Sequence, residues 1–104
     1  MRLVINVCYG GFCLSEGMAY NLGIEDVYDS SLMVRRNPHL IEAVLEDATY
    51  AGGRYAELRV VEIPDDATDF RIEEYDGYEN VIYVKDGKIW DAEIWEGDDD
   101  DEWI

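Results

Sequence analysis

Few residues of this chain have the types and spacing that catalysis or metal binding requires. Cys8 and Cys13 are separated by four residues around a glycine pair, and His39 is the single histidine. A zinc site normally takes four ligands in two close pairs, so these three residues are too few. A cysteine and His39 could in principle form a nucleophile–base pair, but no spacing supports one. We therefore predict two reduced thiols, at least one of them buried, and no metal site.

Two pairs of adjacent carboxylates, Asp65-Asp66 and Glu73-Glu74, are the other candidates for chemistry. Such a pair works as acid and base only where burial separates its two pKa values. Asp65-Asp66 falls in a predicted turn, and consecutive strand residues such as Glu73-Glu74 point to opposite faces. The sequence therefore predicts solvated carboxylates, with no catalytic residues, no cofactor and no enzymatic activity.

A glycine pair follows the first predicted strand, within Tyr9, Gly10, Gly11 and Phe12. A loop of this kind between a strand and a helix can present backbone N–H groups to a phosphate. However, no Lys or Arg lies within the ten residues after the pair. Paired glycines more often mark a tight turn, which here would place Phe12 in the core. A turn is the prediction, and a small phosphorylated ligand or nucleotide signal is the alternative.

The dominant chemical feature of the chain is an excess of acidic residues. Of 104 residues, 25 are Asp or Glu and 8 are Lys or Arg, so the net charge is −17. Residues 1–56 contribute −3 and residues 57–104 contribute −14. A net charge of magnitude ~2–8 already keeps a small domain in solution, so this excess favours a further role. The alternative is that the acidity only keeps the protein soluble. Phosphates of DNA and anionic lipid would repel the surface, which argues against both as direct partners.

This density of negative charge resembles that of nucleic acid. Duplex DNA carries one charge per ~1.7 Å, so 17 charges match about 29 Å of duplex. A compact domain of this length is roughly 33 Å across. On a strand, carboxylates two residues apart share one face at about 6.6–6.8 Å. We predict that the chain occupies a basic nucleic-acid groove on another protein. The predicted partner-binding residues are Asp65, Asp66, Asp69, Glu73, Glu74, Asp76, Asp91, Glu93, Asp98, Asp99, Asp100, Asp101 and Trp103.

Residues 96–104 are a separate compositional segment, in which six of nine residues are acidic. Such dense like charge favours an extended, solvated segment. We therefore predict one domain over residues 1–95 and an acidic tail over residues 96–104. The tail ends in Trp103-Ile104 and is similar in plan to the acidic tails of single-stranded-DNA-binding proteins, which dock on partner proteins. Trp103 would anchor in a partner's pocket; alternatively, the terminus is frayed and Trp103 folds back onto the body.

Two helices are predicted in the first half of the chain. Ser15 is a good N-cap for a helix over residues 16–22. Asn37 caps a second helix that begins with Pro38, whose fixed φ suits the first helical position. Glycines mark the end of each helix, at Gly23 and at Gly52-Gly53.

Strands are predicted on both sides of the helices. Leu3–Cys8 is a short β-branched run typical of a buried strand, and Leu32-Met33-Val34 indicates another. Residues 58–63 form a further strand that ends at Pro64. Residues 69–73 alternate apolar and charged side chains, as a half-buried strand does. The order of elements predicts an α+β domain, a mainly antiparallel sheet with two helices packed on one face and a C-terminal hairpin.

Asp86-Gly87 is the clearest local signal, a two-residue hairpin turn between arms of alternating apolar residues. It places Val84 opposite Ile89 and Tyr83 opposite Trp90. A hairpin that is apolar on both faces sits between layers or contacts another subunit, so a homo-oligomer is one prediction. One face would carry Val81, Tyr83, Trp90, Ala92 and Ile94, and the other Ile82, Val84 and Ile89 among Asn80, Asp91 and Glu93.

The chain resembles a family of small phage and prophage proteins whose recurring opening is close to I-N-x-C-[YF]-G-G-F-x-L-S. The resemblance covers roughly residues 3–80 and is carried by three motifs in the same order. They are the run from Ile5 to Ser15, Arg36-Asn37-Pro38 with its following helix, and the run from Ala56 to Gly77. Cys13 stands where the family usually has glycine, and Phe70 where it usually has tryptophan. The resemblance implies a phage origin and expression in a bacterial cytoplasm, and it supplies no catalytic residues.

These observations predict a phage-encoded acidic inhibitor that binds a basic host protein or ribonucleoprotein complex. A defence system such as a CRISPR effector is the target class favoured, with the inhibitor mimicking nucleic-acid charge. The alternatives are a sponge for a small phosphorylated ligand at residues 9–12 and a phage protein that self-associates through the hairpin. No apolar run approaches the ~20 residues that span a bilayer, and the N-terminus lacks a signal-peptide layout. We therefore expect a soluble protein in the host cytoplasm.

Overall fold

The computed structural model describes residues 1–97 and has an α+β fold, as predicted. Within these residues three helices accompany two antiparallel sheets of three strands each. No helix in this range is both long and apolar enough to cross a membrane. The elements in chain order are β1 (Arg2–Asn6), α1 (Glu16–Leu22), α2 (Leu32–Arg35), α3 (Pro38–Ala51), β2 (Leu58–Glu62), β3 (Asp69–Tyr75), β4 (Tyr78–Lys85), β5 (Lys88–Asp91) and β6 (Glu93–Ile94).

The first sheet, in the order β1-β2-β6, forms the middle of three layers. Side chains alternate along its strands, so successive residues contact opposite layers. Val4 packs into the core beneath the helices, whereas its neighbours Leu3 and Ile5 pack towards the second sheet. Among residues 1–97, the second sheet, in the order β3-β4-β5, therefore buries only one of its faces.

The two predicted helices begin and end where their capping signals lie. The Ser15 hydroxyl accepts a hydrogen bond from the Met18 N–H at 3.0 Å, and Gly23 ends α1 with a φ of 72°. The Asn37 side chain accepts from the N–H of His39 at 2.8 Å, just where α3 begins. Each cap satisfies backbone groups that the helix itself leaves without partners. The boundaries of both helices are therefore confirmed.

The predicted strand at Leu32-Met33-Val34 is wrong, because these residues belong to the short helix α2. The Ser31 hydroxyl accepts from the Val34 N–H at 3.4 Å, which caps the helix. The Asp29 carboxylate accepts from the Ser31 N–H at 3.0 Å, and the hydrogen bonds of Ser31 lower the pKa of Asp29. A short apolar run does not distinguish strand from helix by periodicity. Burial of Val34 and Arg35 decided between them.

The C-terminal hairpin has the predicted register. Val84 pairs with Ile89 and Tyr83 with Trp90. Asp86 and Gly87 both have positive φ, 55° and 74°, as a tight hairpin turn requires. The Ala92 N–H also donates to the Val81 carbonyl at 2.8 Å, so the pairing extends to Ala92. The hairpin is shorter than predicted only because Glu93 and Ile94 leave it to pair with β2.

Two sheets are present where one was predicted. The turn at Asp65-Asp66 after β2 directs the chain into β3, which starts the second layer. The chain then returns, and the two-residue strand β6 pairs with β2 in the first sheet. Glu93 and Ile94 therefore lie outside the hairpin to which alternation assigned them.

Candidate functional site

The second sheet has one face that points away from the first sheet. Phe70, Ile72 and Tyr83 pack inward against the first sheet. Because side chains alternate along a strand, the intervening residues share the opposite face. We call this surface the outer face. It comprises Asp69, Arg71, Glu73 and Tyr75 of β3, Tyr78, Asn80, Ile82 and Val84 of β4, and Ile89 and Asp91 of β5.

Three aliphatic side chains form an apolar patch on the outer face. Val84 and Ile89 are directly opposite each other, and Ile82 is two residues before Val84 on the same strand. Side chains in such positions lie within contact distance of one another. Ile89 is 70% exposed, and the other two are half-buried. The hairpin is therefore apolar on both faces, as predicted. On the inner face Val81 is buried and Tyr83 packs against the first sheet, whereas Trp90 is 48% exposed.

Carboxylates flank this apolar patch on both edge strands. Asp69 of β3 lies opposite Val84, and Asp91 of β5 lies opposite Ile82. Both aspartates are exposed. Arg71 also adjoins Ile82, and its guanidinium lies 3.2 Å from the Glu73 carboxylate. An apolar centre with a charged rim is the usual composition of a surface that binds another protein.

The remaining predicted acids of the body do not join this face. Asp65 lies 3.2 Å from the N-terminal ammonium, and Asp66 lies 3.7 Å from the Lys85 side chain. Glu93 lies on the first sheet opposite Glu62. The structure thus brings Asp69, Glu73 and Asp91 together and places these three elsewhere.

Glu74 and Asp76 lie at the turn between β3 and β4. The Glu74 carboxylate accepts a hydrogen bond from the Gly77 N–H, and Asp76 has a φ of 53°. Asp76 is exposed beside Tyr75 and Tyr78, which are cross-strand partners on the outer face. These two acids therefore form a separate group at one end of the sheet.

A buried ion pair, which sequence analysis missed, holds the second sheet against the helical layer. The guanidinium of Arg35 donates to both carboxylate oxygens of Glu79 at 2.8 Å, and the two side chains are 5% and 6% exposed. Arg35 also donates to the carbonyls of Ser30 at 2.7 Å and Val4 at 3.1 Å. The Phe12 ring lies 4.4 Å from its guanidinium carbon. Three elements, α2, β1 and β4, are joined at this point.

Asn6 is the second buried polar residue at this junction. Its side-chain amide donates to the carbonyls of Cys8 at 2.6 Å and Gly77 at 2.8 Å. Its side-chain oxygen accepts from the Glu57 N–H, and its own N–H donates to Glu79, both at 2.8 Å. A buried amide whose polar atoms are all hydrogen-bonded orders the backbone segments around it. The Asn6 network therefore fixes the β3–β4 turn to the first strand.

The glycine loop has a packing role. A Cβ on Gly10 would lie 1.8 Å from the Tyr55 carbonyl oxygen, and one on Gly77 would lie 2.6 Å from the Gly11 nitrogen. Only glycine allows backbones to approach this closely. Phe12 is 8% exposed, so the prediction of a turn that buries Phe12 is confirmed. Ligand binding at Tyr9–Phe12 stays a prediction.

Both cysteines are free thiols and both are partly exposed, so the prediction that at least one is buried is wrong. Partial burial, with a smaller contribution from Asp26, raises the pKa of Cys13 above its usual 9.0. Among residues 1–97, no three potential ligands come close enough to hold a metal ion. The predicted tail residues Asp98 to Asp101 and Trp103 lie outside the described residues.

No protein-family model matches this chain, and neither a curated protein nor a solved structure is detectably similar to it.

Proposed function

We propose that this protein is a phage-encoded inhibitor that binds a host nucleic-acid-handling complex and occupies its basic groove. The observation that carries the proposal is the outer face, where an apolar patch lies between two exposed carboxylates. Ile89, which lies on the edge strand β5 of the patch, is 70% exposed. An aliphatic cluster this open on a chain of charge −17 is best explained by a partner that covers it. The resemblance to phage proteins supports the proposed origin.

Charge and shape would contribute to binding in different ways. The net charge of −17 would attract a basic groove from a distance and accelerate association. On contact, Asp69 and Asp91 would pair with lysines or arginines that otherwise bind phosphate. The apolar patch between them would then exclude water, which gives the complex a slow dissociation that charge alone does not provide.

A direct test uses the purified full chain and a purified CRISPR effector ribonucleoprotein from the host. We expect binding that weakens at least tenfold as salt rises from about 0.05 to about 0.5 M, because screening shortens the reach of charge. We also expect the target DNA and the protein to compete for the effector. Salt-insensitive binding, or simultaneous binding of DNA and protein, would contradict the proposal.

A matched pair of variants tests whether the outer face is the contact. Asp69→Asn/Asp91→Asn removes two charges from the outer face, and Glu42→Gln/Glu46→Gln removes two exposed charges from α3. The first variant should weaken binding at least tenfold, and the second by less than about threefold, since distant charges are screened. Equal losses would mean that only net charge matters, and would overturn the assignment of the contact to this face.

Self-association is a second candidate function, because the same apolar patch could bind a second copy of the chain. Repulsion between two chains of charge −17 opposes this pairing. Sedimentation equilibrium over a range of concentrations separates the two functions. A monomer supports the proposed inhibitor. A dimer that Ile82→Thr/Val84→Thr/Ile89→Thr converts to a monomer would assign the patch to self-association instead.

A further inference from the structure

Three exposed tyrosines meet at the turn between β3 and β4. Tyr75 and Tyr78 are cross-strand partners, so their Cβ atoms are about 5 Å apart. The ring of Tyr9 lies 5.3 Å from that of Tyr78, centroid to centroid, at an interplanar angle of 44°. The three side chains are 67% (Tyr9), 74% (Tyr75) and 40% (Tyr78) exposed. We call this group the tyrosine cluster.

The backbone beneath the tyrosine cluster is held in place by buried contacts. Asn6 donates a hydrogen bond to the Gly77 carbonyl at 2.8 Å, which fixes the turn between Tyr75 and Tyr78. Gly77 also packs against the backbone of Gly11 and the carbonyl of Tyr9. The loop that carries Tyr9 and the turn that carries the other two therefore form one rigid unit. Such pre-organisation lowers the entropy cost of binding a ligand.

The charge around the tyrosine cluster selects a cation. Glu74 and Asp76 lie at the turn itself, where the Glu74 carboxylate accepts from the Gly77 N–H, and Glu73 on β3 is paired with Arg71 at 3.2 Å. Asp76 is therefore the exposed carboxylate nearest the rings that has no ion pair among the described residues. The face of an aromatic ring is itself negative, so a carboxylate beside it strengthens its attraction for a positive group. Elsewhere in the described residues, the chain's own arginines stack on Trp95, Phe12 and Tyr55. The tyrosine cluster offers the same kind of surface to a cation from outside.

We infer that the tyrosine cluster binds an arginine side chain of the partner protein. This inference rests on the proposed function and adds an anchor at one end of the outer face. An arginine fits better than a lysine, because its planar guanidinium stacks on a ring and still donates hydrogen bonds at its edge. Asp76 is exposed at the turn and would accept those bonds. The apolar patch and the tyrosine cluster would then contact two neighbouring parts of one basic surface.

The test measures binding of a hexa-arginine peptide to the full chain by titration calorimetry. Tyr75→Leu/Tyr78→Leu should weaken binding about 3- to 30-fold, the range of cation–π contacts. Tyr75→Phe/Tyr78→Phe keeps the ring faces and should change affinity less than about twofold. The matched control is Tyr20→Leu, since Tyr20 is 85% exposed on α1, and it should leave affinity unchanged.

Two results would overturn the inference. One is a loss of affinity for Tyr75→Leu/Tyr78→Leu that is no larger than the loss for Tyr20→Leu. The other is a loss for Tyr75→Phe/Tyr78→Phe that equals the loss for the leucine variant. Chemical-shift changes of backbone amides on adding the peptide, centred on residues 9 and 75–78, give support that does not depend on the folding of any variant. The peptide assay does not depend on the proposed function, because it contains no effector. If the effector binds the unsubstituted chain and the Tyr75→Leu/Tyr78→Leu variant equally well, the inference fails and the proposed function survives.

Discussion

Replacing Arg35 with methionine should lower the free energy of unfolding by about 3–5 kcal/mol, because it leaves the Glu79 carboxylate buried without its counter-charge. The guanidinium makes two hydrogen bonds of 2.8 Å to Glu79, in a pair whose side chains are 5% and 6% exposed. Hydrogen bonds to charged groups contribute about 1.5–3 kcal/mol each, and methionine recovers only the packing of the side-chain stem. Of the hydrogen bonds described for this carboxylate, the one from the Asn6 N–H would remain. A loss of this size is a large part of the stability of a domain of this length.

Urea denaturation followed by circular dichroism measures the loss, and Arg71→Met is its matched control. Arg71 also pairs with a glutamate, Glu73, but at 3.2 Å and with side chains 70% and 44% exposed. Water screens such a pair, so the control should cost less than about 1 kcal/mol. The melting temperature of the Arg35 variant should fall by at least about 12 °C. Equal stability of the two variants would refute the claim that burial gives the Arg35–Glu79 pair its structural role.

Three further predictions follow from local geometry. Gly77→Ala should destabilise the fold more than Gly87→Ala in thermal melts. A Cβ on Gly77 would lie 2.6 Å from the Gly11 nitrogen, whereas a Cβ on Gly87 would meet open space. Equal losses of stability would show that only the positive φ matters. Asn37→Ala should cost about 1 kcal/mol in urea denaturation by removing the N-cap of α3, and an unchanged midpoint would contradict this. Cys13 should alkylate more slowly at pH 8 than a free cysteine, since its raised pKa leaves a smaller fraction as thiolate, and its rate should rise with pH above 9. A rate equal to that of free cysteine would count against the raised pKa.

The apolar patch of the candidate site was predictable from the sequence. Its residues, Ile82, Val84 and Ile89, share one face by simple alternation across the Asp86-Gly87 turn. The acids beside it were predictable only in part. Alternation relates residues of one hairpin, but it does not say that the chain after Asp91 crosses to the first sheet.

The tyrosine cluster shows the same limit. Tyr75 and Tyr78 flank a turn and are neighbours by register, which the Asp76-Gly77 signal indicates. Tyr9 comes from the other end of the chain. It reaches the cluster because Gly77 packs on the glycine loop, a contact that leaves no pattern in the sequence.

The sequence by itself determined the ends of two helices and the register of the hairpin, because caps and two-residue turns act over a few neighbouring residues. The tertiary structure alone decided that the strands form two sheets, that α2 is a helix, and which acids share a face. Those outcomes depend on contacts such as Arg35 to Glu79 and Asn6 to Glu79, which join residues 44 and 73 positions apart. Only the packed chain brings such groups together, and burial then makes their hydrogen bonds obligatory.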